Sequence, residues 1–141
     1  MLLAHLPTPL YPAERLAAEL GGSGLDLYVK MDAETGFALG GNKVRKLEFE
    51  LAPKRLEGVS RLVTAGGPQS NHCRVTAAAA AAARLGLKCT LVLSGVEPPD
   101  PTGNALLHRL FAADIVTVPE RGERTDRMDS VAVECAARGE H

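Results

Sequence analysis

The sequence predicts an α/β fold, an open parallel sheet with helices on both faces, preceded by an N-terminal segment of a different kind. Two observations carry that reading. From residue 61 onward, short apolar runs alternate with longer helical patterns, the arrangement that builds a parallel sheet from strand–helix–strand units. Strands so short and so uniformly apolar belong to a sheet covered on both sides. The alanine run from Ala77 to Ala83 is the second observation, since a methyl-sized side chain lets a helix backbone lie close to a sheet. Crossovers in such a sheet are expected to be right-handed.

Taken in order, Leu6-Pro7-Thr8-Pro9-Leu10 is an extended lead-in, because each proline fixes its own φ and removes a donor. Residues 14–20 read as a short helix with Leu16, Ala17 and Leu20 on one side, stopped by Gly21-Gly22. Residues 25–30 alternate and read as a strand. A loop over 31–39 leads to Gly40-Gly41. Val44, Leu47 and Leu51 then recur at helical spacing, with Phe49 beside them, until Pro53 breaks the helix. A last turn is expected over 54–57.

The regular part follows. Strands are predicted over 61–65, 89–93 and 115–118, and helices over 71–85, from 102 or 103 to 113, and over 125–138. Gly66-Gly67-Pro68, Gly86 and Pro119 punctuate them. The expected core is Val63, Leu85, Leu87, Leu91, Val92, Leu93, Leu106, Leu110, Phe111, Ile115, Val116, Val118, Val131 and Val133. This divides the chain at about residue 60. Residues 1–60 have too little apolar content for a core of their own, so they are expected to need a partner surface elsewhere. Gly139 after the last helix is the place where such an alternation would begin another strand, so residues 61–141 are expected to be an incomplete unit of a longer protein.

Composition excludes several classes. The chain has 141 residues, 45% apolar and 23% charged, with a net charge of −1. That is a globular composition with no electrostatic case for nucleic acid or a membrane surface. Two Tyr, three Phe and no Trp make no base-stacking platform. No apolar run reaches membrane-spanning length. Cys73, Cys89 and Cys135 are widely spaced and odd in number, without zinc spacing, so no metal is expected. Free thiols in a reducing cytoplasm are.

Two stretches carry chemistry. In Gly40-Gly41-Asn42-Lys43-Val44-Arg45-Lys46, Asn42 is the expected N-cap. Lys43 then stands in the first helical turn, at the positive end of the dipole, where a cation is disfavoured and its proton leaves more easily. A neutral lysine amine is what Schiff-base chemistry requires. The same residues also read as a glycine loop followed by a solvated basic face. In Gly66-Gly67-Pro68-Gln69-Ser70-Asn71-His72, a strand ends and a helix begins, the position where ligands bind in open parallel sheets. Either Ser70 or Asn71 can cap, and the free N–H groups of the first turn favour a carboxylate or phosphate. The alternative is a plain strand–turn–helix junction.

Together these stretches resemble the D-cysteine desulfhydrase / 1-aminocyclopropane-1-carboxylate deaminase family, pyridoxal-phosphate enzymes of the tryptophan-synthase-β fold type. The residues that carry the resemblance are Thr8-Pro9-Leu10, Tyr28-Val29-Lys30, Thr35-Gly36, residues 40–48, and Gln69-Ser70-Asn71-His72 with Arg74. The resemblance spans essentially the whole chain. It implies that residues 1–60 belong to the large cofactor-binding domain and residues 61–141 to the small one. It implies that Lys43 holds pyridoxal 5'-phosphate covalently and moves protons, and that Asn71 hydrogen-bonds the cofactor's ring oxygen, with Asn42 beside the lysine. Ser70 matches a catalytic or substrate-positioning serine, and the N–H groups around Ser70, Asn71 and His72 would receive the substrate carboxylate. His72 favours the desulfhydrase side. Met31-Asp32-Ala33-Glu34 and the Ala52-Pro53 break depart from the family pattern. The family's glycine-rich phosphate cup is expected beyond residue 141. The implied partners are a small amino acid and a second copy of the chain or a C-terminal half. β-Replacement is disfavoured, because the serine-glycine-asparagine loop of cysteine synthases is lacking. A non-catalytic binding module and a remnant that only associates with another chain are the remaining alternatives.

Overall fold

The computed structural model describes residues 2–21, 24–81, 85–96 and 98–141. A two-stranded antiparallel ribbon opens it, pairing β1 (Leu10–Pro12) with β2 (Tyr28–Lys30), Leu10 opposite Lys30. The lead-in is thus partly a strand. Pro12 is tolerated because a two-stranded ribbon leaves each strand an unpaired edge. Since β1 is only three residues long, β2 pairs over three residues and not over the six expected. Between them lies helix α1 (Glu14–Glu19). Gly21, at φ 77°, follows it, while Gly22 lies outside the described residues. Leu10, Tyr11, Tyr28 and Val29 of the ribbon are exposed.

Two 3₁₀ turns, Asp32–Thr35 and Phe37–Leu39, fill the expected loop. Helix α2 (Lys43–Glu50) follows, and Pro53 starts a further 3₁₀ turn, Pro53–Arg55. The sheet is three-stranded and parallel in the order β3 (Arg61–Gly66), β4 (Lys88–Ser94), β5 (Asp114–Val118). The connecting helices are α3 (Asn71–Ala81) and α4 (Gly103–Leu110), and α5 (Arg124–Ala137) follows β5. The expected continuation of α3 through Ala82, Ala83 and Arg84 lies outside the described residues. Helix α4 ends three residues early. Ala112 turns left-handed at φ 54°, and the N–H of Ala113 reaches back to the carbonyl of His108, a six-to-one closure that satisfies a terminal carbonyl.

Alternation along β4 shows how the sheet is covered. Cys89, Leu91 and Leu93 meet Cys73, Ala77 and Ala80 of α3 on one face. Val92 meets Val131 and Cys135 of α5 on the other. A third cluster joins Val44 and Leu47 of α2, and Leu51 just after it, to Val75 and Ala79 of α3. Helix α3 is therefore packed against both the sheet and α2, and every residue from Cys73 to Ala80 is buried. Three expected core residues are not in it: Leu106 is 41%, Leu110 68% and Val133 71% exposed. Helix α4 turns Ala105 and His108 inward and α5 turns Val131 and Cys135 inward. A residue one or two places along a helix from those points elsewhere.

Candidate active site

The backbone before Lys43 is left-handed over four residues: Ala38 (φ 48°), Leu39 (67°), Gly40 (72°) and Gly41 (106°). Such a run is costly for residues with a Cβ and is held by its surroundings. Here the N–H of Gly41 donates to the carbonyl of Asp32, and the N–H of Gly40 to that of Phe37. Buried Thr35 donates its hydroxyl toward the carbonyls of Asp32 and Gly41. A Cβ on Gly40 would lie 2.0 Å from the carbonyl oxygen of Ala33, so only glycine fits. The turn delivers Lys43 as the first residue of α2, half-buried.

Asn42 does not cap as expected. Its backbone is already helical (φ −63°, ψ −19°), its side chain makes no capping hydrogen bond, and it is exposed. Arg45 is not part of a solvated face either. It binds Asp32 at 2.8 Å and donates to the hydroxyl of Thr8 at 2.9 Å. Glu48 accepts from the N–H groups of Leu3 and Ala4. Helix α2 is thereby tied to the N-terminal lead-in.

At the head of α3 the cap is Ser70, whose Oγ accepts from the N–H of Cys73 at 3.2 Å. The N–H of Ser70 itself donates to the carbonyl of Gly67, and that of Arg74 to the carbonyl of Ser70. A helix leaves its first N–H groups without internal partners. Those of Asn71 and His72 are thus the ones free to meet an anion. Gly66 is required where β3 runs into this turn: a Cβ there would lie 2.6 Å from Ser70 Oγ and from Cys73 Sγ.

One side chain joins the two stretches. The guanidinium of Arg74, 7% exposed, donates through Nη2 to the carbonyl of Gly40 at 2.6 Å and through Nη1 to Asn71 Oδ1 at 2.9 Å. Its Nη1 also donates to Asn104 Oδ1 at 3.0 Å. The turn that precedes Lys43 and the amide of Asn71 therefore share a single planar cation. Asn104, from the first turn of α4, donates in turn to Asn71 Oδ1 and to the carbonyl of Gln69. Sequence reasoning missed Asn104. Its only signal is a Gly-Asn pair at a helix start following a strand end, the same kind of position as Ser70-Asn71.

His72 is turned inward, its Nε2 at 3.0 Å from the hydroxyl of Thr64. Burial, then the positive charges of Lys46 and Lys43, push its pKa below the usual histidine value, with Glu50 acting in the opposite sense. The imidazole is neutral at neutral pH. Among the described residues no group of His, Cys, Asp and Glu is arranged to hold a metal ion, and no helix is long and apolar enough to cross a membrane.

A half-buried lysine thus opens one helix, the Asn71 amide and two free N–H groups open another, and Arg74 joins the glycine turn before the lysine to that amide. The profile of the pyridoxal-phosphate dependent enzyme family matches residues 1–141, and the chain belongs to that family. Within it, the chain is 45% identical over 120 residues to a 1-aminocyclopropane-1-carboxylate deaminase of Burkholderia cenocepacia (strain HI2424), covering 81% of this chain and 35% of that protein. It is 40% identical over 142 aligned positions to a D-cysteine desulfhydrase of Klebsiella pneumoniae (strain 342), covering 97% of this chain and 42% of that one. The crystal structure of an ACC deaminase homologue superposes with a TM-score of 0.83 at 33% identity, over 98% of this chain and 41% of that chain. An O-ureido-L-serine synthase shares the fold, with a TM-score of 0.67 at 19% identity. The chain spans about two fifths of the length of the relatives it matches.

Proposed function

We propose that this chain supplies the lysine-bearing side of an active site that uses pyridoxal 5'-phosphate to eliminate from, or deaminate, a small amino acid. The observation that carries the reading is the Arg74 guanidinium, which binds Gly40 and Asn71 together and so unites the two stretches on which the family resemblance rests. The preferred substrate is D-cysteine, which with water gives pyruvate, ammonia and hydrogen sulfide. His72 favours it. The alternative is 1-aminocyclopropane-1-carboxylate, which with water gives a four-carbon 2-oxo acid and ammonia, and which the names of several relatives support.

When bound, the cofactor supplies an electron sink for negative charge developing next to the amino group. Lys43 would hold it covalently through Nζ, and its amine, when free and neutral, would be the base for the α-proton. Asn71 would donate from Nδ2 to the ring oxygen. The free N–H groups of Asn71 and His72 take the substrate carboxylate at the positive end of α3. Ser70 Oγ is occupied as an acceptor from Cys73, so its own proton is the one it can offer to the substrate. The cyclopropane substrate has no α-proton, and ring opening there would fall to Ser70 or to Lys43 acting at another carbon. We assign residues 1–60 to the larger domain of this design and residues 61–141 to the smaller. The exposed apolar residues of the β1–β2 ribbon support association with further polypeptide, a second copy or a C-terminal half. Three free, buried cysteines agree with a cytoplasmic setting.

Borohydride reduction of the chain mixed with pyridoxal phosphate, followed by peptide mapping, tests the site. The label is expected on Lys43 and absent from Lys43→Ala. A label retained by that variant, or found on another lysine, refutes the assignment. Release of sulfide and pyruvate, against a four-carbon oxo acid, separates the two substrates.

A further inference from the structure

We propose that Arg74 and Asn104 are positioning residues that fix the orientation of the Asn71 amide, so that its amino group alone faces outward. An amide oxygen offers two lone pairs, and both on Asn71 Oδ1 are filled, by Arg74 Nη1 and by Asn104 Nδ2, each at 2.9 Å. Arginine only donates, so the atom of Asn104 facing Arg74 Nη1 at 3.0 Å is its oxygen. Its amino group then faces the carbonyl of Gln69 at 2.8 Å and Asn71. Turning Asn71 over would set its amino group against two donors. Among the described residues, Asn71 Nδ2 has no acceptor, and the residue is exposed. It therefore presents a donor of fixed direction to any anionic oxygen bound there.

The orientation is transmitted from both sides. Gln69 Oε1 accepts from the N–H of Asn104 at 2.9 Å and its Nε2 donates to the carbonyl of Thr102 at 3.1 Å, which locks the start of α4 to the α3 turn. The other arm of Arg74 holds Gly40. The proposal deepens the functional reading above, since it takes Asn71 as the residue that donates to the cofactor ring oxygen.

A double-mutant cycle on the 141-residue chain tests it, using pyridoxal phosphate as the probe. Asn104→Ala is expected to weaken cofactor binding about tenfold, roughly one hydrogen bond, and to shift the pH at which the bound cofactor changes its visible absorbance. In an Asn71→Ala background the same change is expected to have no further effect, because it acts only through Asn71. A full tenfold loss in that background, or no loss in the wild type, overturns the proposal. A second readout needs no cofactor. In the ligand-free chain the side-chain amide of Asn71 is expected to be ordered by nuclear magnetic resonance and to become mobile in Asn104→Ala. Equal order in both refutes the positioning role even if Lys43 labelling fails, whereas failed labelling with a mobile Asn71 refutes only the functional reading.

Discussion

Gly66 shows how much can hang on a missing methyl. Its Cα lies where β3 ends, and the space a side chain would take is filled by Ser70 and Cys73. These are the two partners of the α3 cap. Gly66→Ala should therefore push on the cap itself. Overpacking of this kind costs about 1–3 kcal/mol, and loss of a serine cap costs about 1 kcal/mol. Urea unfolding of the variant should show a lower midpoint with an unchanged slope, and a midpoint equal to wild type would mean that the turn relaxes without strain. Arg74 is the other residue on which much depends. Its fork makes three hydrogen bonds to three segments, and lysine, with a single point charge, cannot reproduce that planar spread.

At the scale of elements, α3 and β4 pack through buried side chains, Cys73, Ala77 and Ala80 against Cys89, Leu91 and Leu93, and the two thiols report on that contact. Burial pushes the Cys73 thiol up and holds the Cys89 thiol at about 12. Both stay protonated at neutral pH, and a protonated thiol is a poor nucleophile. A disulfide-exchange reagent at pH 8 should leave both unlabelled in the folded chain and label them after urea is added. Prompt labelling of either in the folded state would mean that α3 lifts from the sheet. The alternation of strands and helices from residue 61 was readable because each element buries one repeating set of side chains and most of them end at glycine or proline; α4, which closes on Ala112, does not. The β1–β2 pairing was not, since two three-residue strands carry no periodicity and their contact is non-local. In the site, Lys43 at a helix start and a cap at Ser70 or Asn71 were legible from local chemistry. The choice of Ser70, the failure of Asn42 to cap, and the roles of Arg74 and Asn104 depend on which helix lies beside which. Leu110 and Val133 were misplaced for the same reason: apolar character does not say which side of a helix faces its neighbour.

Across the whole molecule, an ionic cluster fastens the chain's last residues to the N-terminal end of the sheet. Arg61, with only 8% of its side chain exposed, pairs with Glu140 at 2.8 Å and with Asp114, and donates to Thr90 at 2.7 Å. Lys88 also binds Glu140, and the carbonyl of His141 accepts from the N–H groups of Ser60 and Arg61. Arg61, then Lys88, hold the Glu140 carboxyl down at about 2. A carboxyl whose folded value lies below its unfolded one stabilises above the unfolded value and ceases to as pH falls through the folded one. The contribution should thus be complete above about pH 4.5 and vanish toward pH 2. Thermal unfolding of wild type and Glu140→Gln should differ at pH 6 and converge near pH 2; a constant gap would show that the cluster is not coupled to folding. The burial of α3 on every side has a different consequence. A rod gripped by sheet and helix along its length has no direction in which to slide, so the Ser70–His72 turn at its tip is a stationary jaw. The glycine turn before Lys43 is fastened to the same rod, because the carbonyl of buried Gly40 accepts from Arg74, so both turns form one fixed edge.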